Sequence, residues 1–299
     1  MKNLKLARIE YIIAMIIYGT CGIISKYIDV SSGFIVFSRA IIGSIIIIIY
    51  LLIRRKKIDF VSIKKNLLWL ILSGACIGCN WMCLFSSYNY VSVSISSLCN
   101  YLAPALFIIA AIILFKEKIS IKKIICVVVA LFGIILLSGI INSNNNVNFL
   151  GIILGLGAAI FYLGILVFNK FIGELDPFVK ALIELMVVSV VTAPYAFISL
   201  DYTKEIFSLN NVLLLITLGI IHTGLAYILY LGSMFYLPSQ SIAIFSYFEP
   251  VIAVLLSYFL LKEDLSIYGW IGGALILGST LIYEILNEKE RKKNELNQS

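Results

Sequence analysis

The chain reads as an all-α polytopic membrane protein, with ten transmembrane helices in two inverted five-helix repeats. Three observations predict that class: an apolar composition, a series of apolar stretches each long enough to cross a bilayer, and an internal repeat at an offset of 146 residues. Of the 299 residues, 61% are hydrophobic and 13% charged, whereas about a quarter of a soluble domain is charged. Most of the surface must therefore face a solvent other than water.

Ten stretches match a hydrocarbon core of about 30 Å: 9–28, 33–53, 66–87, 92–115, 121–141, 150–171, 177–200, 211–231, 238–261 and 267–287. The first follows Lys2, Lys5 and Arg8 as a signal peptide would, but it is too long, lacks a small-residue cleavage site and ends at Lys26. It is expected to be retained as a span. In the fourth and ninth stretches, Pro104 and Pro250 cannot donate a backbone hydrogen bond, which frees the carbonyls of Asn100 and Ser246 one turn earlier. Gly151 with Gly155, and Gly269 with Gly273, have the spacing that lets helix backbones approach closely. The connection 142–148, with Asn144, Asn145 and Asn146, is polar and uncharged and divides five stretches from five. The expected units are thus 1–145 and 146–287, followed by a polar tail at 288–299.

Residues 88–123 recur at 234–269. Tyr90 meets Tyr236, Tyr101 meets Tyr247, Pro104 meets Pro250, and Leu114, Lys116, Glu117, Ser120 and Ile121 meet Leu260, Lys262, Glu263, Ser266 and Ile267. Because five is odd, the second half enters the membrane in the opposite sense, so the repeat is inverted, the arrangement used by secondary carriers. At an offset of 144, Tyr18 meets Tyr162, Lys26 meets Lys170 and Phe34 meets Phe178.

Lysine and arginine set the orientation. Lys2, Lys5 and Arg8; Arg54, Arg55, Lys56, Lys57, Lys64 and Lys65; Lys116, Lys118, Lys122 and Lys123; and Lys289, Arg291, Lys292 and Lys293 fall on one side if the spans alternate. The opposite connections hold little beyond Lys204 and Lys262, so both termini are expected to be cytoplasmic. The net charge of +7 is then a topological signal. Short juxtamembrane clusters suit anionic membrane lipid, and nucleic acid is not an expected partner.

The motifs carry a family resemblance. Phe248-Glu249-Pro250-Val251-Ile252-Ala253, then Leu261-Lys262-Glu263 and Gly269-Trp270-Ile271-Gly272-Gly273-Ala274-Leu275-Ile276, resemble the C-terminal half of EamA-type members of the drug/metabolite transporter superfamily. Ala103-Pro104 and Phe115-Lys116-Glu117 repeat the pattern more loosely. The resemblance spans essentially the whole chain. It implies ten helices in two inverted repeats and export, less often import, of amino acids, metabolites or drugs.

Ionisable groups inside spans are costly, about 2.5–3.5 kcal/mol for Arg, Lys or Asp at a helix centre, and usually face an internal cavity. Arg39, Glu184, His222 and Glu249 are therefore the leading polar candidates. Glu249 stands where the repeat has Ala103, so packing symmetry does not require it; it is expected to bind a cationic group or to carry a proton, against the alternative of a buried structural acid. Arg39 is a candidate for a bidentate grip on a carboxylate, or for pairing with an internal one. Glu184 lies four residues after Lys180 and could form an i,i+4 pair. His222 could relay protons or simply be hydrogen-bonded. Lys26 and Lys170 read as interfacial anchors, and Lys116-Glu117 with Lys262-Glu263 as helix-end caps.

Among the aromatic residues, Trp69, Tyr202, Tyr268, Trp270 and Tyr283 sit near span ends, where amphipathic rings anchor at the interface. Trp81, Tyr101, Tyr162, Tyr227 and Tyr247 lie deeper and, with Asn80, Asn100 and Asn169, could line an apolar cavity with hydrogen-bonding groups or serve the core. The six cysteines all lie within spans and disulfides are not expected. Cys76, Cys79 and Cys83 share a helix face but lack further ligands, and Gly155-x-Gly157 lacks the third glycine of a dinucleotide loop, so no metal or cofactor is expected. Without an ATP-binding loop, energy must come from the substrate's own gradient, protons or another coupling ion. The reading is a carrier exporting a small-molecule amphiphilic metabolite such as an amino acid or drug-like compound by alternating access. A channel-like or lipid-flipping protein and a membrane-embedded enzyme are the competing classes. High isoleucine, lysine and asparagine use hints at a low-GC bacterium and its cell membrane.

Overall fold

The computed structural model describes residues 4–56, 58–115, 121–137, 148–200, 208–237 and 239–298. Lys57, Lys116, Glu117, Lys118, Tyr202, Lys204 and the connection 142–147, with the boundary between the two expected units, lie outside them. Every element among the described residues is helical. The order is α1 (Leu4–Lys26), α2 (Ser32–Ile53), α3 (Phe60–Ser87), α4 (Val93–Asn100), α5 (Ala103–Phe115), α6 (Ile121–Leu137), α7 (Phe149–Asn169), α8 (Pro177–Ile198) and α9 (Leu209–Gly219). A π-turn (Ile220–Leu225) leads into α10 (Ala226–Met234), followed by α11 (Ser239–Ser246), α12 (Phe248–Leu260) and α13 (Ile267–Gln298). Six units are long and apolar enough to cross a membrane: α1, α2, α3, α7, α8 and the combined Leu209–Met234.

Polar caps start the helices. Ser31, Asp59, Ser92, Asn148, Asp176 and Ser208 each accept a hydrogen bond from a backbone N–H of the first turn, satisfying donors that no helical carbonyl can reach. Apolar runs carry the helices onward. Composition alone, however, misplaces continuity in three of them.

The stretches 92–115 and 238–261 were expected to be uninterrupted, yet each is broken: between α4 and α5 at Tyr101 and Leu102, and between α11 and α12 at Tyr247. The breaks fall on the pair aligned by the repeat, three residues before Pro104 and Pro250, whose missing N–H groups cannot close the turn. The third departure is the π-turn within the eighth stretch, which holds His222 and Thr223. At the chain's end, α13 continues through the polar tail to Gln298.

The bundle is knitted by α3 against α7 and α8, α2 against α8 and α9, α6 against α13, α4 against α7 and α12, and α1 against α10 and α12. Missing side chains permit two close crossings. A Cβ on Gly19 would lie 2.8 Å from the carbonyl oxygen of Glu249, and one on Gly133 would lie 2.8 Å from that of Gly272. At the α6–α13 crossing the close residue is Gly272; of the expected pair, a Cβ on Gly273 would lie 3.0 Å from Leu98 Cδ1, and the atoms nearest to one on Gly269 belong to Leu265 and Ser266.

Candidate functional site

Helix α1 serves as a ruler across the bundle. Glu10 lies near its start and Lys26 at its end, separated by roughly 24 Å of helix at about 1.5 Å per residue. Three consecutive residues between them, Gly19, Thr20 and Cys21, touch Glu249, His222 and Arg39 respectively. These three expected residues therefore share one layer well inside the bundle.

The guanidinium of Arg39 is 3% exposed. Nε donates to Thr223 Oγ1 at 3.0 Å, Nη1 to Cys21 Sγ at 3.2 Å and Nη2 to the His222 carbonyl at 3.4 Å. The Trp81 ring lies 4.0 Å from its centre and Phe85 5.3 Å, a desolvated cation–π arrangement worth about 2 kcal/mol. The π-turn explains the acceptors: a wider helical turn releases a carbonyl from the i−4 ladder, and Thr223 Oγ1 in turn donates to Leu218 O at 3.1 Å. Trp81 thus shields Arg39, and the fork of donors points at the protein.

His222 bridges Thr20 Oγ1 (2.8 Å from Nε2) and the Thr217 carbonyl (3.3 Å from Nδ1). Glu184 is buried and accepts from Ser73 Oγ at 2.6 Å across the α3–α8 contact. Asn80 and Asn100 meet each other: Asn80 Nδ2 donates to Asn100 Oδ1 at 2.8 Å and to Ala158 O at 2.7 Å, which joins α3, α4 and α7. Asn169 Oδ1, at the end of α7, is buried without a hydrogen-bond partner.

Glu249 differs from these. It is half-buried, stands in the first turn of α12 just after the break, and accepts a hydrogen bond from the Tyr101 hydroxyl at the companion break. Tyr11, Tyr18, Tyr227 and Tyr230 also lie within its electrostatic reach. The Tyr11–Tyr230 ring centroids are 5.4 Å apart, with Tyr18–Tyr227 at 6.2 Å and Tyr18–Tyr230 at 6.3 Å. Tyr162 lies near Tyr101, and Tyr247 occupies the second break. Tyr11, Tyr18 and Tyr230 were missed among the sequence-derived candidates. The signal was present in their spacing, seven apart on α1 and three apart for Tyr227 and Tyr230 on α10, which places each pair on one helix face.

The two ends of the bundle differ. At the Glu10 end a cavity of about 680 Å³ lies between α1, α2, α8 and α10, lined by Tyr50, Arg54, Asp176 and Gly232 among others. Lys56 Nζ donates to Asp176 Oδ2 there at 2.7 Å, and this hydrogen bond holds the lysine amine above its usual pKa. At the Lys26 end, Lys26 Nζ lies 3.3 Å from Glu263 Oε1, while Glu263 Oε2 accepts from the Val93 N–H at 2.8 Å and from Ser257 Oγ. Glu263 therefore caps α4 from across the bundle as well as closing α12. Lys262 turns the chain there through a left-handed φ of 54°. Lys170 Nζ lies 5.9 Å from the Phe107 ring. Among the described residues, no group of three or more His, Cys, Asp or Glu side chains could hold a metal.

Comparison with known proteins places this geometry. The model of the EamA-like transporter family matches residues 8–139 and 149–284. An "Uncharacterized transporter YxxF" of Bacillus subtilis (strain 168) is 27% identical over 258 residues, 85% of this chain and 82% of that one. An "Uncharacterized transporter" of Archaeoglobus fulgidus is 26% identical over 191 residues, 64% of this chain and 66% of the relative. A solved crystal structure aligns over 94% of this chain and 98% of its own with a TM-score of 0.65 and 17% identity, a likeness of fold alone. The two family matches together take in all but the chain's ends and the mid-chain connection: the protein belongs to the EamA-like transporter family.

Proposed function

We propose that the chain is a secondary carrier that exports a small amphiphilic metabolite, an amino acid or a drug-like compound, by alternating access. The observation that carries this reading is the pair of helices broken at Tyr101 and Tyr247 beside Glu249, in a layer well inside the bundle. Discontinuous helices expose backbone dipoles where a continuous helix would hide them, which is how carriers build a substrate site at the membrane midplane.

Packing supports two inverted five-helix halves. Exchanging each span for the one five later turns the α1–α10 contact into α7–α3, α1–α12 into α7–α5, and α2–α9 into α8–α3; all of these contacts occur. The cavity at the Glu10 end supports an opening to that side, with ion pairs at both ends, Lys56–Asp176 and Lys26–Glu263. The basic connections favour both termini, and with them the cavity, on the cytoplasmic side of a bacterial cell membrane. Protons or another ion supply the driving gradient. Saturable counterflow of a labelled solute into proteoliposomes is the expected result. Flux that never saturates would indicate a channel, and chemical conversion of the solute an enzyme. Comparing the solutes inside and outside cells with and without the protein identifies the substrate and the direction.

A further inference from the structure

The ionisable side chains inside the bundle are not equally available. Arg39, Glu184 and His222 are 3%, 6% and 3% exposed, and each directs its polar atoms at the protein. A substrate carboxylate approaching Arg39 would have to displace Trp81 and Phe85 from around the guanidinium or Thr223 and Cys21 from its edge. Glu249 is half-buried, and among the described residues the hydrogen bond from Tyr101 leaves most of the acceptor capacity of its two oxygens unspent. The accessible charge of this layer is therefore negative.

Its surroundings are tyrosine rings. Tyr101 donates to the carboxylate from the α4–α5 break, and Tyr18 from α1 with Tyr227 and Tyr230 from α10 lie within its electrostatic reach; all four are half-buried. Tyr18, Tyr227 and Tyr230 meet edge to face or tilted rather than filling the space as a flat stack. Tyrosine faces carry negative potential and attract a cation without requiring it to donate hydrogen bonds, while the hydroxyls can accept one. A carboxylate walled by such rings suits a charged nitrogen bearing an apolar group.

We propose that this site binds a small organic ammonium ion, with Glu249 as its counter-charge and the rings of Tyr18, Tyr101, Tyr227 and Tyr230 as its walls. The assignment rests on the carrier reading above and names the substrate class of that same site. It also gives Arg39 a different part from a ligand: Arg39 is a positioning residue that holds the π-turn of the eighth span through Thr223 and the His222 carbonyl, and so sets where Tyr227 and Tyr230 stand on α10.

The test is a charge series of similar shape on the purified full-length protein in detergent, titrated calorimetrically: phenethylamine, its trimethylammonium analogue, phenylalanine, 3-phenylpropanoate and 2-phenylethanol. Both ammonium ions are expected to bind at least tenfold tighter than phenylalanine, with 3-phenylpropanoate weakest. Glu249→Gln should weaken the ammonium ions at least tenfold and leave 2-phenylethanol within about twofold. Tyr227→Leu should weaken them several-fold, and Tyr227→Phe, which keeps the ring, should not. If Glu249→Gln fails to fold, the series on the unmodified protein and the Tyr227 pair still decide. Phenylalanine or 3-phenylpropanoate binding as tightly as phenethylamine overturns the ammonium assignment while the carrier reading stands on its own counterflow test. No binding by any member overturns the assignment as well.

Discussion

Glu263 ties three segments at the Lys26 end of the bundle, and Glu263→Gln separates its charge from its shape. The amide keeps the length and an acceptor oxygen, so Val93 and Ser257 retain a partner, but the ion pair with Lys26 is lost. The two side chains are 27% and 18% exposed, which limits the pair to about 1 kcal/mol. Hydrogen bonds to a charged acceptor are worth about 1.5–3 kcal/mol and to a neutral one about 0.5–1.5 kcal/mol. With two such bonds weakened and incomplete additivity, the variant should lose about 2–4 kcal/mol, a fall on the order of 3–6 °C in the unfolding midpoint for a chain of this size. Lys26→Met removes only the ion pair and should cost about 1 kcal/mol. Thermal unfolding of the purified single and double variants gives the coupling, expected near 1 kcal/mol because Glu263→Gln has already lost that pair. A Glu263→Gln midpoint within a degree of the unmodified protein, or zero coupling, would show that the three contacts do not hold this end together.

Three further outcomes follow from the same geometry. Arg39→Lys cannot reach Thr223, Cys21 and the His222 carbonyl at once or stack on Trp81, so it should cost about 2–4 kcal/mol of stability; an unchanged unfolding midpoint removes the positioning role. Asp59 accepts from Ser62 and Val61 at the start of α3, which holds its carboxyl below its ordinary pKa. A lowered folded pKa gives stability that is present above the ordinary carboxylate pKa and lost as pH falls through the lowered value. The protection of the Val61 and Ser62 amides, measured against their intrinsic exchange rates at each pH, should therefore fall on acidification, and that fall should vanish in Asp59→Asn, which still caps the helix. Finally, an impermeant thiol reagent applied to intact cells in a cysteine-free background should label Asn145→Cys and not Lys56→Cys; the reverse pattern inverts the orientation.

Much of the architecture was legible because its cause is local. Each apolar stretch is occupied by a helix or a broken pair, since burying an apolar run with all its backbone bonds made internally leaves few other options. The prolines marked the two broken stretches, although only the structure showed that the interruptions fall at Tyr101 and Tyr247, positions already aligned by the repeat. Glu249 was conspicuous because it broke that repeat at Ala103.

The π-turn had no local signature: Ile220–Leu225 holds His222, Thr223 and Gly224, but residues of these types also occur in ordinary helical turns. It brings Thr223 and the His222 carbonyl to an arginine more than 180 residues away. Lys262-Glu263 read as the end of one helix, yet Glu263 also reaches Lys26 and the start of α4. Arg39 read either as a grip on a carboxylate or as the partner of an internal one, because sequence shows that a charge is buried but not which atoms meet it. Hydropathy and repeat spacing thus determined which stretches become helical, while the structure decided where three of them are interrupted. Which groups meet depended on the rotation of each helix about its axis and on its neighbours, and those are set by side-chain packing between segments far apart in the chain.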